Sequence, residues 1–167
     1  MSTIDTATRA DFLAIVRDID AYWGACGLER ATRLRILHHP MFFEELGSTA
    51  FVVRSEGLVS AYLLGFYSQR GVPSAYVHLV ATHERFRRRG LAAKLYRHFI
   101  QAAERHGCES VKAITSLSNK ESVAFHQSLG MAPQGDAISP DGIPYVTDHA
   151  GPGEHRVVMV KVLSPLP

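Results

Sequence analysis

The stretch SAYVHLVATHERFRRRGLAAKLYRHF, residues 74–99, decides the fold. Residues 74–82 are rich in β-branched and aromatic side chains, which predicts a strand. Leu91, Leu95 and Phe99 then recur at fourfold spacing, which predicts a helix ending near Gly107. Four arginines and one glycine lie between the two elements. A chain that turns through a glycine into a helix N-terminus leaves several backbone N–H groups unpaired, and the helix dipole adds partial positive charge there. Arginines at that end stand against the dipole, so Arg87, Arg88 and Arg89 call for an anion. Phosphate suits the place: Gly90 lets the main chain approach closely, and Ala92 keeps the next turn thin. A solvated helix start and a nucleic-acid stripe are the other readings of the run.

Working outward, ESVKAIT (109–115) reads as a short buried strand. SLSNKESVAFHQSLGM (116–131) reads as a helix opened by Ser118, three residues before Glu121, and closed at Gly130. Strand, helix, strand, helix implies parallel pairing in the middle of the sheet. Upstream, STAFVVRSEGLVSAYLLGFYS (48–68) is two strand-like runs joined by the turn signal Ser55-Glu56-Gly57, an antiparallel hairpin. TATRADFLAIVRDIDAYWG (6–24) carries a capping-box pattern from Thr8 to Asp11 and a stripe of Phe12, Val16, Ile19 and Trp23. LERATRLRILHHP (28–40) predicts a second helix, with Ala31, Leu34 and Leu37 on one face, stopping near Pro40. The tail HRVVMVKVL (155–163) is a closing strand, and residues 132–154 before it form a long Gly- and Pro-rich loop of the kind that carries function.

RRRGLA, residues 87–92, resembles the R/Q-x-x-G-x-G/A signature of the GCN5-related N-acetyltransferases, whose loop cradles the pyrophosphate of acetyl-coenzyme A. NKESVAFHQSLGM, residues 119–131, resembles the same family's N-x-x-A-x-x-x-Y-x-x-x-G-F segment. The departures are Ser122 for alanine, His126 for tyrosine, Met131 for phenylalanine, and Glu84 near the place of a common proline, so that the turn rests on glycine alone. The resemblance implies one α/β domain spanning 1–167, with a mixed, splayed sheet flanked by helices and the coenzyme between the strands at 74–82 and 110–116. It implies phosphate contacts at Arg87, Arg88, Arg89, Gly90, Leu91 and Ala92, pantetheine pairing along Val80, Ala81 and Thr82, and a contact from Asn119, for which an ordinary helix start is the other reading.

The implied reaction is acetyl transfer from acetyl-CoA to a primary amine of a small molecule, with no metal. A neutral amine must lose a proton and the departing thiolate gain one. Alternation puts Tyr76, His78 and Val80 on one strand face, and His78 falls where many family members carry an acidic residue; an unperturbed pKa of about 6.5 suits a base. His126 stands at the thiolate-side tyrosine position and, as a cation, would be the acid, with Tyr96 or Tyr145 as substitutes. Tyr22, Trp23, Tyr76 and Tyr145 are the expected acceptor contacts, Tyr22 and Trp23 being equally open to a core role. The rival functions are a protein N-terminal or lysine acetyltransferase, a non-catalytic acyl-CoA sensor and a nucleic-acid module.

Composition bounds these readings. The 167 residues carry a formal net charge of +2, which excludes a general polyanion-binding surface and leaves any basic function local. No apolar run approaches membrane-spanning length. Cys26 and Cys108 stand alone, as expected of spectator thiols in a reducing cytoplasm. The nine histidines show no ligand spacing, so no metal is expected, and His38-His39 reads as a surface pair. No nucleic-acid or membrane partner is expected, and a homodimer is left open.

Overall fold

The computed structural model describes residues 3–24 and 27–163, with side chains left out of the description from 27 to 31. The expected thiol Cys26 and the Ala31 side chain lie outside the described residues. In chain order the elements are β1 (Ile4–Thr6), α1 (Arg9–Arg17), α2 (Ile19–Trp23), α3 (Gly27–Leu37), α4 (Met41–Glu44), β2 (Ala50–Ser55), β3 (Leu58–Tyr67), β4 (Ser74–Thr82), α5 (Leu91–Arg105), β5 (Ser110–Thr115), α6 (Lys120–Ser128), β6 (Ala132–Gln134), β7 (Ala137–Ile138), β8 (Pro144–Tyr145) and β9 (Val157–Val162). The fold class is the expected mixed α/β one, with a mostly antiparallel sheet of seven strands. The chain divides into two compact units, one reaching Phe66 and taking in His78–Phe99, the other taking Tyr67–Val77 and the chain from Ile100. The boundaries fall inside β4 and α5.

In the first unit the strand order is β1-β2-β3-β4. The β2–β3 hairpin closes through Glu56 and Gly57, both at positive φ (54° and 75°), the geometry that matches the strands' own twist. Sequence reading missed β1, three residues long, which pairs antiparallel with β2 from Ile4↔Val53 to Thr6↔Phe51. Thr8 caps α1 in a full capping box with Asp11. The helix breaks at Asp18, and the buried face is Asp11, Ile15, Ile19 and Tyr22, which shares Ile19 with the predicted stripe and is otherwise one position off it, with Phe12 and Trp23 packed at its margin. Among the described side chains of α3, Leu34 is buried, whereas Leu37 is exposed.

His38 corrects the surface-pair expectation. It is 1% exposed, with Nδ1 donating to the Leu34 carbonyl at 2.6 Å and Nε2 accepting from the Tyr62 hydroxyl at 2.6 Å. His39, its neighbour, is exposed as expected. The tandem splits because a helix end presents successive side chains in different directions.

In the second unit the order is β4-β5-β9-β6, with β4 and β5 parallel as predicted. Their ladder runs from Ser74↔Ser110 to Val77↔Ala113 and ends there, while β5 continues against β9 to Thr115↔Val157. The expected loop at 132–154 is structured: β6 pairs with β9, and β7 and β8 form a ribbon of their own. Cys108 is buried and free, and burial pushes its thiol pKa up. Among the described residues no cluster of three metal-ligating side chains occurs, and no helix is long and apolar enough to cross a membrane.

Candidate functional site

The first unit holds the arginine turn. After β4 a short 3-10 turn spans Glu84–Phe86, and Arg88 and Gly90 then take positive φ values of 60° and 72° before α5 starts at Leu91. Such a backbone aims successive N–H groups to one side. Among the described residues, the first amide of this helix with a backbone acceptor is that of Lys94, bonded to the Gly90 carbonyl at 3.0 Å. The amides of Leu91, Ala92 and Ala93 are thus those of an open helix N-terminus. A Cβ added to Gly90 would meet no protein atom within 4 Å, so the space over the turn is open to a ligand.

The turn does not rest on glycine alone. Phe86, 1% exposed, anchors it in the core, and the buried His83 accepts the Arg85 amide hydrogen at 3.3 Å. Neither residue was singled out from the sequence, and no local pattern marks them. Arg85 and Arg89 lie over the Phe86 ring at 5.7 and 5.2 Å, an attraction of cation to π-face. Arg87 donates to the Tyr22 carbonyl (3.0 Å), Arg89 to the Arg85 carbonyl (3.3 Å), and Arg85 pairs with Glu56 (2.9 Å). The guanidinium groups stay exposed while their orientations are held from below.

Upstream on β4, Ala81 is buried in the core while Val80 and Thr82 are half-buried. His78, also half-buried, lies parallel to the Phe42 ring at 4.2 Å and 12°, and its Nε2 donates to the Leu37 carbonyl at 2.9 Å. Burial pushes its pKa down, and the bond to Leu37 opposes that.

Tyr22 is buried in the core and Trp23 is half-buried against it, the core role that the sequence left open beside an acceptor contact. The Tyr22 hydroxyl donates to the Val59 carbonyl at 2.7 Å, and burial pushes its pKa up to about 12. The Trp23 indole donates to the Tyr62 hydroxyl at 2.8 Å, which in turn donates to His38. Their positions next to a glycine suggested a pocket. Their polar ends face inward because buried donors and acceptors must be paired.

The second unit holds the other motif. Asn119, not Ser118, caps α6, accepting the Ser122 amide hydrogen at 3.1 Å. The cap is the helix-start role that the sequence offered beside a coenzyme contact, with the side-chain carbonyl oxygen serving the helix. His126, 4% exposed, donates from Nδ1 to the Ser122 carbonyl at 2.6 Å and meets the Phe125 ring edge-on. Burial pushes its pKa down, with the Ser122 bond opposing, which favours the neutral ring. Tyr76 is half-buried, its pKa pushed up to about 12 by burial. Tyr145 is half-buried in β8, tilted against His155 at 5.5 Å. Glycine at 135 lets the β8 backbone close in: a Cβ there would lie 2.0 Å from the Tyr145 carbonyl oxygen.

Comparison with known proteins gives these motifs a setting. The family described as "Acetyltransferase (GNAT) family" matches residues 13–131. An aminoglycoside N(6')-acetyltransferase type 1 of Serratia marcescens is 33% identical over 96 residues, which cover 57% of this chain and 64% of that enzyme's length. The crystal structure of the ribosomal-protein-S18-alanine N-acetyltransferase of Escherichia coli superposes with a TM-score of 0.67 at 18% identity, covering 100% of this chain and 97% of that one. The yncA protein of Salmonella typhimurium, solved with its cofactor acetyl-CoA, superposes with a TM-score of 0.64 at 21% identity, covering 100% and 96%.

Proposed function

Because this chain belongs to the acetyltransferase (GNAT) family, we propose that it transfers an acetyl group from acetyl-CoA to a primary amine of a small molecule by direct attack in a ternary complex. The observation that carries the reading is the turn at Arg88–Gly90: an open helix N-terminus, a glycine with clear space above it, and exposed guanidinium groups braced by Phe86. That set fits a pyrophosphate. Arg87, Arg88, Arg89, Gly90, Leu91 and Ala92 hold the phosphates, and the pantetheine arm runs along Val80, Ala81 and Thr82 in the manner of an added strand. The chain then chiefly holds two reactants in place.

His78 takes the proton of the attacking amine, supported by its half-buried place on β4 and its lowered pKa, which keeps it unprotonated at neutral pH. His126 stands by the departing sulfur. Tyr76 and Tyr145, with the structured segment 133–154, receive the acceptor. The similarity to an aminoglycoside-modifying enzyme supports a small-molecule amine. The reading places the reaction in the cytoplasm, in keeping with the free buried thiol of Cys108.

The test is thiol release from acetyl-CoA against a panel of aminosugars, simple amines and peptides with free N-termini or lysines. Turnover with a small amine and none with peptides is expected. Turnover with peptides alone would replace the acceptor class, coenzyme binding without turnover would make the protein a sensor, and no binding would end the reading.

A further inference from the structure

We infer that Phe42 and the carboxyl end of α3 lock His78 in the tautomer with hydrogen on Nε2, leaving Nδ1 as the nitrogen that receives the amine proton. The inference rests on the acetyl-transfer reading for its purpose, though the tautomer itself is independent of it. A backbone carbonyl can only accept, so the 2.9 Å contact between His78 Nε2 and the Leu37 oxygen puts the hydrogen on Nε2. A neutral imidazole has one N–H, so Nδ1 carries the lone pair.

The stack on Phe42, at 4.2 Å and 12°, holds the ring in one plane. Within that plane only two orientations remain, related by a half-turn about the Cβ–Cγ bond. The half-turn would trade Nε2 for a carbon opposite Leu37, so the bond selects one of the two. Phe42 is itself held: it is buried and lies 6.3 Å from the Phe66 ring. Leu37 is the last residue of α3, and its carbonyl is one of those that a helix leaves without an internal partner. That end of the helix carries partial negative charge and stabilises an imidazolium.

The step then balances. The amine lone pair forms the C–N bond to the acetyl carbon, the N–H proton passes to Nδ1, and the C–S bond breaks with its electron pair staying on sulfur. The resulting imidazolium keeps Nε2–H on Leu37 and gives up the Nδ1 proton to water or to the thiolate. Among the described residues the titratable and charged neighbours on the packed elements are few. His38 is buried, which pushes its pKa down, Glu44 is paired with Arg9 at 2.7 Å, and His39, Glu45, Arg33 and Arg35 are exposed. Phe42 is a positioning residue, and it acts through His78.

The experiment is nitrogen-15 NMR of histidine-labelled protein, with the His78 signals assigned by their loss in His78→Gln. Wild-type protein should show a pyridine-type signal at Nδ1 and a pyrrole-type signal at Nε2. Phe42→Leu should mix the tautomers, lower kcat about tenfold with the KM for acetyl-CoA unchanged, and move the acidic limb of the pH profile upward as the ring gains solvent. Phe42→Tyr, which keeps the stack, should restore both readouts. A pyridine-type signal at Nε2, or signals indifferent to Phe42→Leu in a folded variant, would overturn the assignment. Absence of turnover with every amine would sink the acetyl-transfer reading instead, and the ring signals would still decide the tautomer.

Discussion

Gly135→Ala is a small change with a large expected effect. The added Cβ would sit 2.0 Å from the carbonyl oxygen of Tyr145 and 2.1 Å from its carbonyl carbon, both main-chain atoms that no rotamer can move aside. Ordinary carbon–oxygen approach is about 3.3 Å, so β8 must retreat by about 1.3 Å. The register Ala137↔Tyr145 and Ile138↔Pro144 is then strained, together with the two bonds from Thr147 to Asp136 at 2.9 and 3.0 Å. At about 1 kcal/mol net per hydrogen bond, loss of those two and one ladder bond removes about 3 kcal/mol of local stability. The β5–β9 ladder does not depend on them. Faster amide exchange at Tyr145–Thr147 should therefore accompany unchanged exchange along β9. If Tyr145 meets the acceptor, its retreat should raise the acceptor KM about tenfold, equivalent to 1.4 kcal/mol, with coenzyme affinity kept. Exchange and steady-state kinetics together decide the matter. Wild-type protection at Tyr145 would refute the steric argument, and an unchanged acceptor KM in a variant with an opened ribbon would refute the acceptor role.

Three further outcomes are expected. Gly90→Ala should cost about 1 kcal/mol of stability, from its φ of +72° with no atom in the way, whereas Gly90→Glu should abolish coenzyme binding; calorimetry on both folded variants checks this, and retained affinity in Gly90→Glu would unseat the phosphate turn. Burial pushes the Asp11 carboxyl pKa up, but bonds from Arg54 and Thr8 outweigh it and hold the group below the ordinary carboxylate range. Its stabilising contribution is thus full above that range and lost as pH falls through the lowered value, so wild-type and Asp11→Asn melting curves should differ at neutral pH and converge in acid; a constant difference would contradict the sign. His126→Phe should leave kcat and the alkaline limb unmoved with coenzyme affinity kept, because the neutral ring gives its one hydrogen to the Ser122 carbonyl; loss of that limb would mean that His126 titrates as the acid.

Features that close within a few residues were legible in the chain itself. The Glu56-Gly57 hairpin turn, the Thr8–Asp11 capping box, the turn through Gly90 ahead of α5 and the Leu91–Leu95–Phe99 face all depend on local sterics and hydrogen bonds, and each reappears in place. Ser118 and Asn119 show the limit of local reading, since either could cap α6 and only the backbone angles chose Asn119. Burial lay further out of reach. His38 looked like half of a surface pair until Tyr62, 24 residues on, supplied its partner, and Trp23 completed the chain of bonds. His78 could be placed on a strand face by alternation, but Phe42 and Leu37, which set its plane and its tautomer, come from elements far upstream. The segment 132–154 read as loop because β6 is three residues long and β7 and β8 two each, too short to carry a periodic signal. Their pairing is decided by β9 and by the room that Gly135 leaves for the Tyr145 backbone, contacts that only the folded chain brings together.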